Sequence, residues 1–162
     1  MVIKVDVEKK QNDIKKETGG IWVKICKIEL YENLPYSAGW YEWAPGGELA
    51  QYITEDRVAE VLIAKMGNVK HRRFLNQKAA ELMPKRRKGE LTIEEQDKID
   101  LFALSHFILL DWRGFGTEEG VIEYTPERAE ALLYNDVGFR ALIESIASTN
   151  DLYTISPGME KN

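Results

Sequence analysis

The spacing of apolar residues changes near residue 54 from a period of two to a period between three and four, and this change constrains the fold more than any motif. Residues 2–8 alternate between apolar and polar side chains, as a half-buried strand does. Residues 21–30 form a second candidate strand, whose apolar phase slips by one position at Cys26. Such a slip indicates either a bulge or burial on both faces at that end. The two segments predict an N-terminal antiparallel hairpin or small sheet.

Helical spacing follows and predicts an α+β fold whose C-terminal part is mainly helical, with about five helices. The first candidate helix begins at Thr54, carries apolar residues at every fourth position and ends at Gly67. A later helix is expected to run on to Leu110, because residues 107–110 are all apolar. Further predicted helix starts are N-cap residues or prolines in the first turn, namely Asn68, Thr92 with Glu95 in a capping box, and Thr125 with Pro126. The pair Asn135-Asp136 is expected to interrupt the chain before the last helix.

The length of 162 residues suits one domain with its own hydrophobic core. We expect a single domain over residues 1–162, divided into a β-rich aromatic part (1–53), a helical part (54–152) and a flexible tail (153–162). Residues 31–52 hold six of the sixteen aromatic side chains, together with two prolines and three glycines. Such rings are typical of a recognition surface, and they serve equally well to cover a small sheet.

Charge is distributed unevenly along the chain. Residues 65–88 carry nine basic side chains and one acid, a net charge of +8, whereas the whole chain carries −5. The rest of the chain is therefore at −13. This pattern is compatible with a solvated helix face, with a charged partner or a second copy, or with nucleic acid. The negative remainder would repel a polyanion, and no helix-turn-helix, zinc or RNA-binding signature accompanies the basic window.

The usual sequence signs of catalysis are missing. There is no glycine-rich nucleotide loop and no G-x-S-x-G element. His71 and His106 lie 35 positions apart and Cys26 is the only cysteine, so no metal-ligand spacing occurs. We therefore expect no enzyme, no catalytic residue, no metal and no cofactor. A lone cysteine, no signal peptide and no apolar run of membrane length lead us to expect a cytoplasmic protein without a membrane partner.

The segment Asp111-Trp112-Arg113-Gly114 follows the predicted apolar helix end and invites a catalytic interpretation. It fails as a calcium loop, because the ligand positions that should follow Asp111 carry the wrong residue types. We interpret it as a helix stop. Asp111 would bond backbone donors, Trp112 would cover the helix end, and Gly114 or Gly116 would supply a positive φ.

Residues 64–152 contain a series of short motifs, which together resemble the tail assembly chaperones of long-tailed bacteriophages. The series is Asn-Val-Lys-His at 68–71, Pro-Lys-Arg-Arg at 84–87, Gly-Glu-Leu at 89–91, Leu-Leu-Asp-Trp-Arg-Gly at 109–114, Glu-Gly at 119–120, Ile-Glu-Tyr-Thr-Pro at 122–126, Ala-Glu-Ala-Leu-Leu at 129–133 and Phe-Arg at 139–140. The resemblance is weaker over the first 55 or so residues, and the aromatic segment departs from the family pattern.

The resemblance implies a non-enzymatic protein of the host-cell cytoplasm. Such chaperones bind the aggregation-prone tape measure protein, keep it soluble until tail tube subunits polymerise around it, and are then released. It also implies homo-oligomers and contact with the tail tube protein. Two other functions stay open: a structural tail or neck protein that remains in the virion, and a small nucleic-acid-binding regulator.

Two sets of residues follow as hypotheses. For partner binding we select a basic helix surface and three aromatic residues, since many weak contacts suit a partner that is later released. These are Lys70, Arg73, Arg86 and Arg87, with Trp40, Tyr41 and Trp43. The structural signature of the resemblance consists of Asp111, Trp112, Gly114, Tyr124 and Pro126.

Overall fold

A computed structural model describes residues 2–5 and 13–154 of the chain. In these ranges it contains six α-helices and six strands, connected by short 3₁₀ and π turns. The helices are α1 (Ile14–Gly19), α2 (Val69–Glu81), α3 (Met83–Arg87), α4 (Ile93–Ala103), α5 (Pro126–Asn135) and α6 (Val137–Ala147). The strands are β1 (Ile21–Ile28), β2 (Gly39–Glu42), β3 (Ala59–Ile63), β4 (Leu109–Arg113), β5 (Gly116–Thr117) and β6 (Gly120–Val121).

Four of the strands form an antiparallel sheet in the order β2-β1-β3-β4. Ile25 of β1 lies opposite Glu42 on one side and Ala59 on the other. The pairing of β3 with β4 shifts register between Leu62 and Ile63. Strands β5 and β6 form a separate two-stranded ribbon. The prediction of an α+β fold, with an N-terminal antiparallel sheet and a mainly helical C-terminal part, is confirmed.

The main core lies between one face of the sheet and the C-terminal helices. Val61 and Ile63 of β3 are fully buried there. Helix α6 adds Phe139, Ile143 and Ile146, whose spacing of four and three places them on one helix face. Burying each of these side chains stabilises the fold by about 1.5–3 kcal/mol. The apolar stripe recognised in the sequence of α6 is thus its core-facing side.

A second, smaller cluster lies beside β1 and explains the phase slip in its sequence. Cys26 and Ile28 are buried against Trp43 and Ile53, whereas Ile25 belongs to the main core. Because neighbouring residues of a strand point to opposite faces, this end of β1 is buried on both sides. Its pairing is regular with both neighbours, so burial on both faces, and not a bulge, is the correct alternative. Partly buried side chains of the aromatic segment complete the cluster, namely Leu34, Tyr36, Tyr41, Leu49 and Ala50.

The predicted N-caps of the later helices are correct because caps depend on neighbouring residues alone. Asn68 Oδ1 accepts hydrogen bonds from the backbone of residues 70 and 71. Thr92 Oγ1 accepts from the N–H of Glu95 at 3.1 Å, and Thr125 caps α5. Asp136, in the pair expected to interrupt the chain, caps α6.

The predicted helix from Thr54 to Gly67 is wrong. Thr54 precedes a single 3₁₀ turn, and the chain then forms β3. Ala59, Val61 and Ile63 are buried and alternate with half-buried residues, which is the period of a strand. The segment 54–152 therefore contains strand as well as helix.

The helix that begins after Thr92 is shorter than predicted. It ends at Ala103, a π turn covers Leu104–Ile108, and β4 begins at Leu109. Within residues 107–110, Ile108 and Leu109 are fully buried in the main core, whereas Phe107 and Leu110 are half-buried. A helix extended to Leu110 would remove β4 from its pairing with β3.

The two ends of the chain show further differences between the prediction and the structure. Residues 2–5 are exposed and form no strand, and residues 6–8 of the predicted first strand lie outside the described residues. Helix α1, which the sequence did not indicate, precedes β1 and is capped by Asp13. Tyr153, placed by the sequence in a flexible tail, is fully buried and donates to the Ile63 carbonyl at 3.0 Å. Residues 155–162 of that tail also lie outside the described residues.

Candidate partner-binding surfaces

Asp111, Trp112 and Gly114 lie at the end of strand β4 and not at a helix end, which corrects their predicted position. Asp111 Oδ1 accepts a hydrogen bond from the N–H of Trp112 at 2.8 Å. The Trp112 ring is buried, and its Nε1 donates to the Ile122 carbonyl at 2.9 Å. Gly114 has a φ of +85°, and a Cβ there would lie 3.3 Å from the Ala59 Cα. Of the two glycines predicted to supply a positive φ, Gly114 does so and Gly116 does not, and Gly114 follows the end of a strand.

Tyr124 and Pro126 connect this strand to α5. The Tyr124 hydroxyl lies 2.8 Å from the Ser105 carbonyl oxygen and 2.6 Å from that of Leu109, and it shares its proton between the two. It therefore ties the π turn to the start of β4. Burial raises the pKa of Tyr124 to about 12, with a smaller contribution from the negative charge of Asp111. Pro126 occupies the first turn of α5.

The three aromatic residues selected for partner binding take part in internal contacts. Trp40 packs against Phe139 of α6 with their rings tilted by 59°, and its Nε1 donates to Asp136 at 2.8 Å. Trp43 is buried and donates to the Ile53 carbonyl at 2.9 Å. Tyr41 packs against the second cluster. These contacts favour the interpretation that the aromatic segment covers the sheet.

The four basic residues selected for partner binding lie on α2 and α3, next to α4. Lys70, Arg73 and Arg87 are exposed, and Arg86 donates to the side chain of Gln96 on α4 at 3.2 Å. We define the basic surface as the exposed cations of these two helices and the turn after them, which form no ion pair within residues 2–5 and 13–154. They are Lys70, Arg72, Arg73, Arg86, Arg87 and Lys88.

A groove between α4 and α5, with a volume of about 800 Å³, is a surface that sequence reasoning missed. Its lining is mostly apolar and includes Ile93, which is 85% exposed, and Tyr134, which is 66% exposed. Leu101 of α4 and Ala131 of α5 also line it. The spacing of Ile93 and Leu101 was a usable signal, because residues eight apart share one helix face. We call this feature the α4–α5 groove.

The rim of the α4–α5 groove is acidic. Glu94, Glu127 and Glu130 line it and form no ion pair with any described residue. Lys98 is the one basic side chain among the lining residues. Two further carboxylates of the lining are neutralised from outside, because Asp97 pairs with Arg140 at 2.9 Å and Glu95 pairs with Lys85. Glu95 consequently has a lowered pKa, for which the hydrogen bond from Lys85 is the main cause.

The two histidines and the cysteine contact neighbouring residues of the fold. His71 is buried and its Nδ1 accepts a hydrogen bond from the Gly67 N–H at 3.2 Å, and burial lowers the pKa of its imidazole. The ring of His106 stacks on Phe102 with centroids 3.8 Å apart. Burial raises the pKa of the Cys26 thiol. Across the described ranges, no three or more His, Cys, Asp or Glu side chains are grouped so that they could hold a metal ion.

None of the helices found in residues 13–154 has the length and apolar character that a membrane span requires. In a comparison with known families, residues 66–153 match the family described as YdaY prophage protein. No curated protein and no solved structure matches the chain. The matched region begins just before α2 and contains the α4–α5 groove and the basic surface.

Proposed function

The chain belongs to the YdaY prophage protein family and is thus phage-derived, and from this premise we propose that it is a tail assembly chaperone. In this role it binds the tape measure protein in the cytoplasm of the host cell and keeps it soluble until the tail tube polymerises. It performs no chemistry on its partner, and its action depends on protein–protein contacts.

One observation carries the proposal. The motifs that resemble tail assembly chaperones occupy residues 64–152, and the match to a prophage family occupies residues 66–153. The resemblance and the family match therefore fall on the same part of the chain. The phage origin narrows the functions to be considered, and the motif series supports tail assembly among them.

The positions of the motif residues agree with a role in architecture. Trp112 and Tyr124 hold the turns around β4, and Pro126 lies in the first turn of α5. Helices α2 to α5 meanwhile keep large solvent-facing surfaces, including the basic surface and the α4–α5 groove. A chaperone that holds a long partner by many weak contacts requires surfaces of this kind.

Co-expression with the tape measure protein of the same phage genome tests the proposal. We expect the tape measure protein to appear in the soluble fraction when this chain is present and to precipitate when an unrelated protein of similar size replaces it. Equal precipitation in both cultures would overturn the proposal. Mass spectrometry of purified virions provides the second test, because a chaperone is released and an abundant copy in mature particles would indicate a structural tail or neck protein instead.

A further inference from the structure

The α4–α5 groove combines an apolar lining with an acidic rim, and no segment of the described chain fills it. We propose that it binds an amphipathic helix that carries Lys or Arg beside an apolar stripe. The inference rests on the proposed function in one respect, since the helix is taken to belong to the tape measure protein. It adds the chemical character of the bound segment and the surface that binds it.

The shape of the groove suits a helix. Its walls are two α-helices of 11 and 10 residues, so the longer wall extends over about 16 Å, or three turns. A third helix laid between two others buries apolar side chains at positions i, i+3, i+4 and i+7. The exposed side chains of Ile93 and Tyr134 offer such a helix apolar contact area that water now covers.

The negative charge of the rim favours basic residues on the flanks of the bound helix. Glu94, Glu127 and Glu130 have no ion-pair partner among the described residues, and Lys98 offsets only one of them. Long Lys and Arg side chains can lay their methylene groups along apolar surface and still reach a carboxylate at its edge. An acidic helix would instead meet like charge on both walls. Electrostatic complementarity of this kind sets specificity and the rate of association.

A second copy of the chain fits the groove less well. Its basic surface has the right sign of charge, but the exposed side of α2 carries Val69 as its one large apolar side chain and is otherwise polar over Lys70, Arg72, Arg73, Asn76 and Gln77. Phe74 of α2 faces α4 instead and stacks on Phe102. Helix α2 of a second copy would therefore supply the charge without an apolar stripe, and a partner helix that carries both fits the groove better.

Fluorescence anisotropy with two labelled synthetic peptides tests the inference on the full-length protein. Both peptides are amphipathic helices of about 20 residues with the same leucine stripe, a length that supports helix formation. One carries Lys on the flanks of the stripe and the other carries Glu. We expect the Lys peptide to bind and the Glu peptide to bind at least about tenfold more weakly. Equal binding of the two peptides would contradict the inference.

Charge-reversal variants then locate the binding surface. We expect Glu94→Lys combined with Glu130→Lys to weaken binding of the Lys peptide by about tenfold or more. Glu42→Lys combined with Glu118→Lys makes the same change of net charge at exposed positions outside the groove and should leave binding unchanged. If both double variants bind alike, the groove is not the site. Ile93→Ser provides a further variant at a residue 85% exposed, where folding is little affected, and it should also weaken binding.

Two further outcomes are decisive. Sedimentation analysis that shows an oligomer disrupted equally by the Glu94/Glu130 reversal and by Arg72→Glu with Arg73→Glu would assign the groove to a second copy and overturn the inference. Failure of the groove is also distinguishable from failure of the proposed function. If the groove variants bind the peptide as the wild type does, and the chain still keeps the tape measure protein fully soluble, only the inference about the groove is overturned.

Discussion

The indole Nε1 of Trp40 donates a hydrogen bond to Asp136 Oδ2 at 2.8 Å, although 96 residues separate the two in sequence. The other oxygen of the same carboxylate accepts from the N–H of Phe139 at 3.0 Å and so caps α6. The Trp40 ring also packs against Phe139 and Phe115. One carboxylate therefore begins a helix and fixes the edge strand β2 to it, which joins the aromatic segment to the helical part.

We predict that Asp136→Ala lowers the free energy of unfolding by about 2 kcal/mol, because it removes an N-cap and a hydrogen bond worth about 1 kcal/mol each. Trp40→Phe keeps an aromatic ring and should lose the hydrogen bond. Urea denaturation of the two single variants and the double variant measures the coupling, which we expect to be about 1 kcal/mol. Strictly additive effects would mean that Trp40 does not depend on Asp136, and its role in partner binding would return to consideration.

This contact illustrates what the sequence could not reveal about the candidate site. The composition of residues 31–52 fitted two roles equally well, a recognition surface and a cover for the sheet, because both roles need rigid aromatic rings. The choice between these two roles depends on where the hydrogen-bond acceptors lie. Trp40 donates to Asp136 and Trp43 donates to Ile53, and neither acceptor lies within residues 31–52. The α4–α5 groove was hidden for the same reason, since it exists only where two helices separated in the chain lie side by side.

The parts of the fold that depend on local chemistry were predicted well. Asn68, Thr92 and Thr125 cap helices because a short polar side chain reaches the next few N–H groups whatever the tertiary context. Strand β3 was mistaken for a helix because its surroundings fit both periods. Leu62 lies four residues from both Val58 and Met66, whereas the alternation that defines the strand occupies only five residues.

We predict that Gly114→Ala destabilises the protein more than Gly67→Ala does. Both glycines have a positive φ, +85° and +77°, so each variant carries the penalty of about 1–2 kcal/mol for an L-residue in that region. Only at Gly114 does the added Cβ meet backbone, 3.3 Å from the Ala59 Cα. This contact should add about 1 kcal/mol, measured as a difference in unfolding free energy by chemical denaturation. Equal losses would show that the turn after β4 can move away from β3.

We predict that stability declines in alkaline solution and that Tyr124 contributes to the decline. Burial raises its pKa to about 12 from an ordinary value of 10. Between these values the unfolded chain releases a phenolic proton that the folded protein keeps, so the free energy of unfolding falls as pH rises. Below pH of about 10 both states keep the proton and the contribution is constant. Burial raises the pKa of Tyr153 in the same direction.

Tyr124→Phe separates this contribution from the rest. The variant should lose about 1–3 kcal/mol at neutral pH, because the Ser105 and Leu109 carbonyls lose their shared donor. Its unfolding free energy should then fall less steeply than that of the wild type as pH rises from about 10 to 12. Parallel curves for the two proteins, recorded by urea denaturation at each pH, would exclude Tyr124 as the source.

The last prediction concerns the basic surface and separates a protein partner from nucleic acid. Lys70→Glu with Arg73→Glu should weaken binding of the tape measure protein by about tenfold, whereas Lys4→Glu with Lys15→Glu makes the same change of net charge at exposed residues elsewhere and should not. A labelled DNA duplex should not bind even at low salt, since the chain outside the basic window carries −13. Duplex binding that weakens steeply with salt and disappears in the Lys70/Arg73 variant would favour the nucleic-acid-binding regulator instead. The two assays therefore test the same pair of side chains with two different partners, and we expect the variant to change binding of the tape measure protein alone.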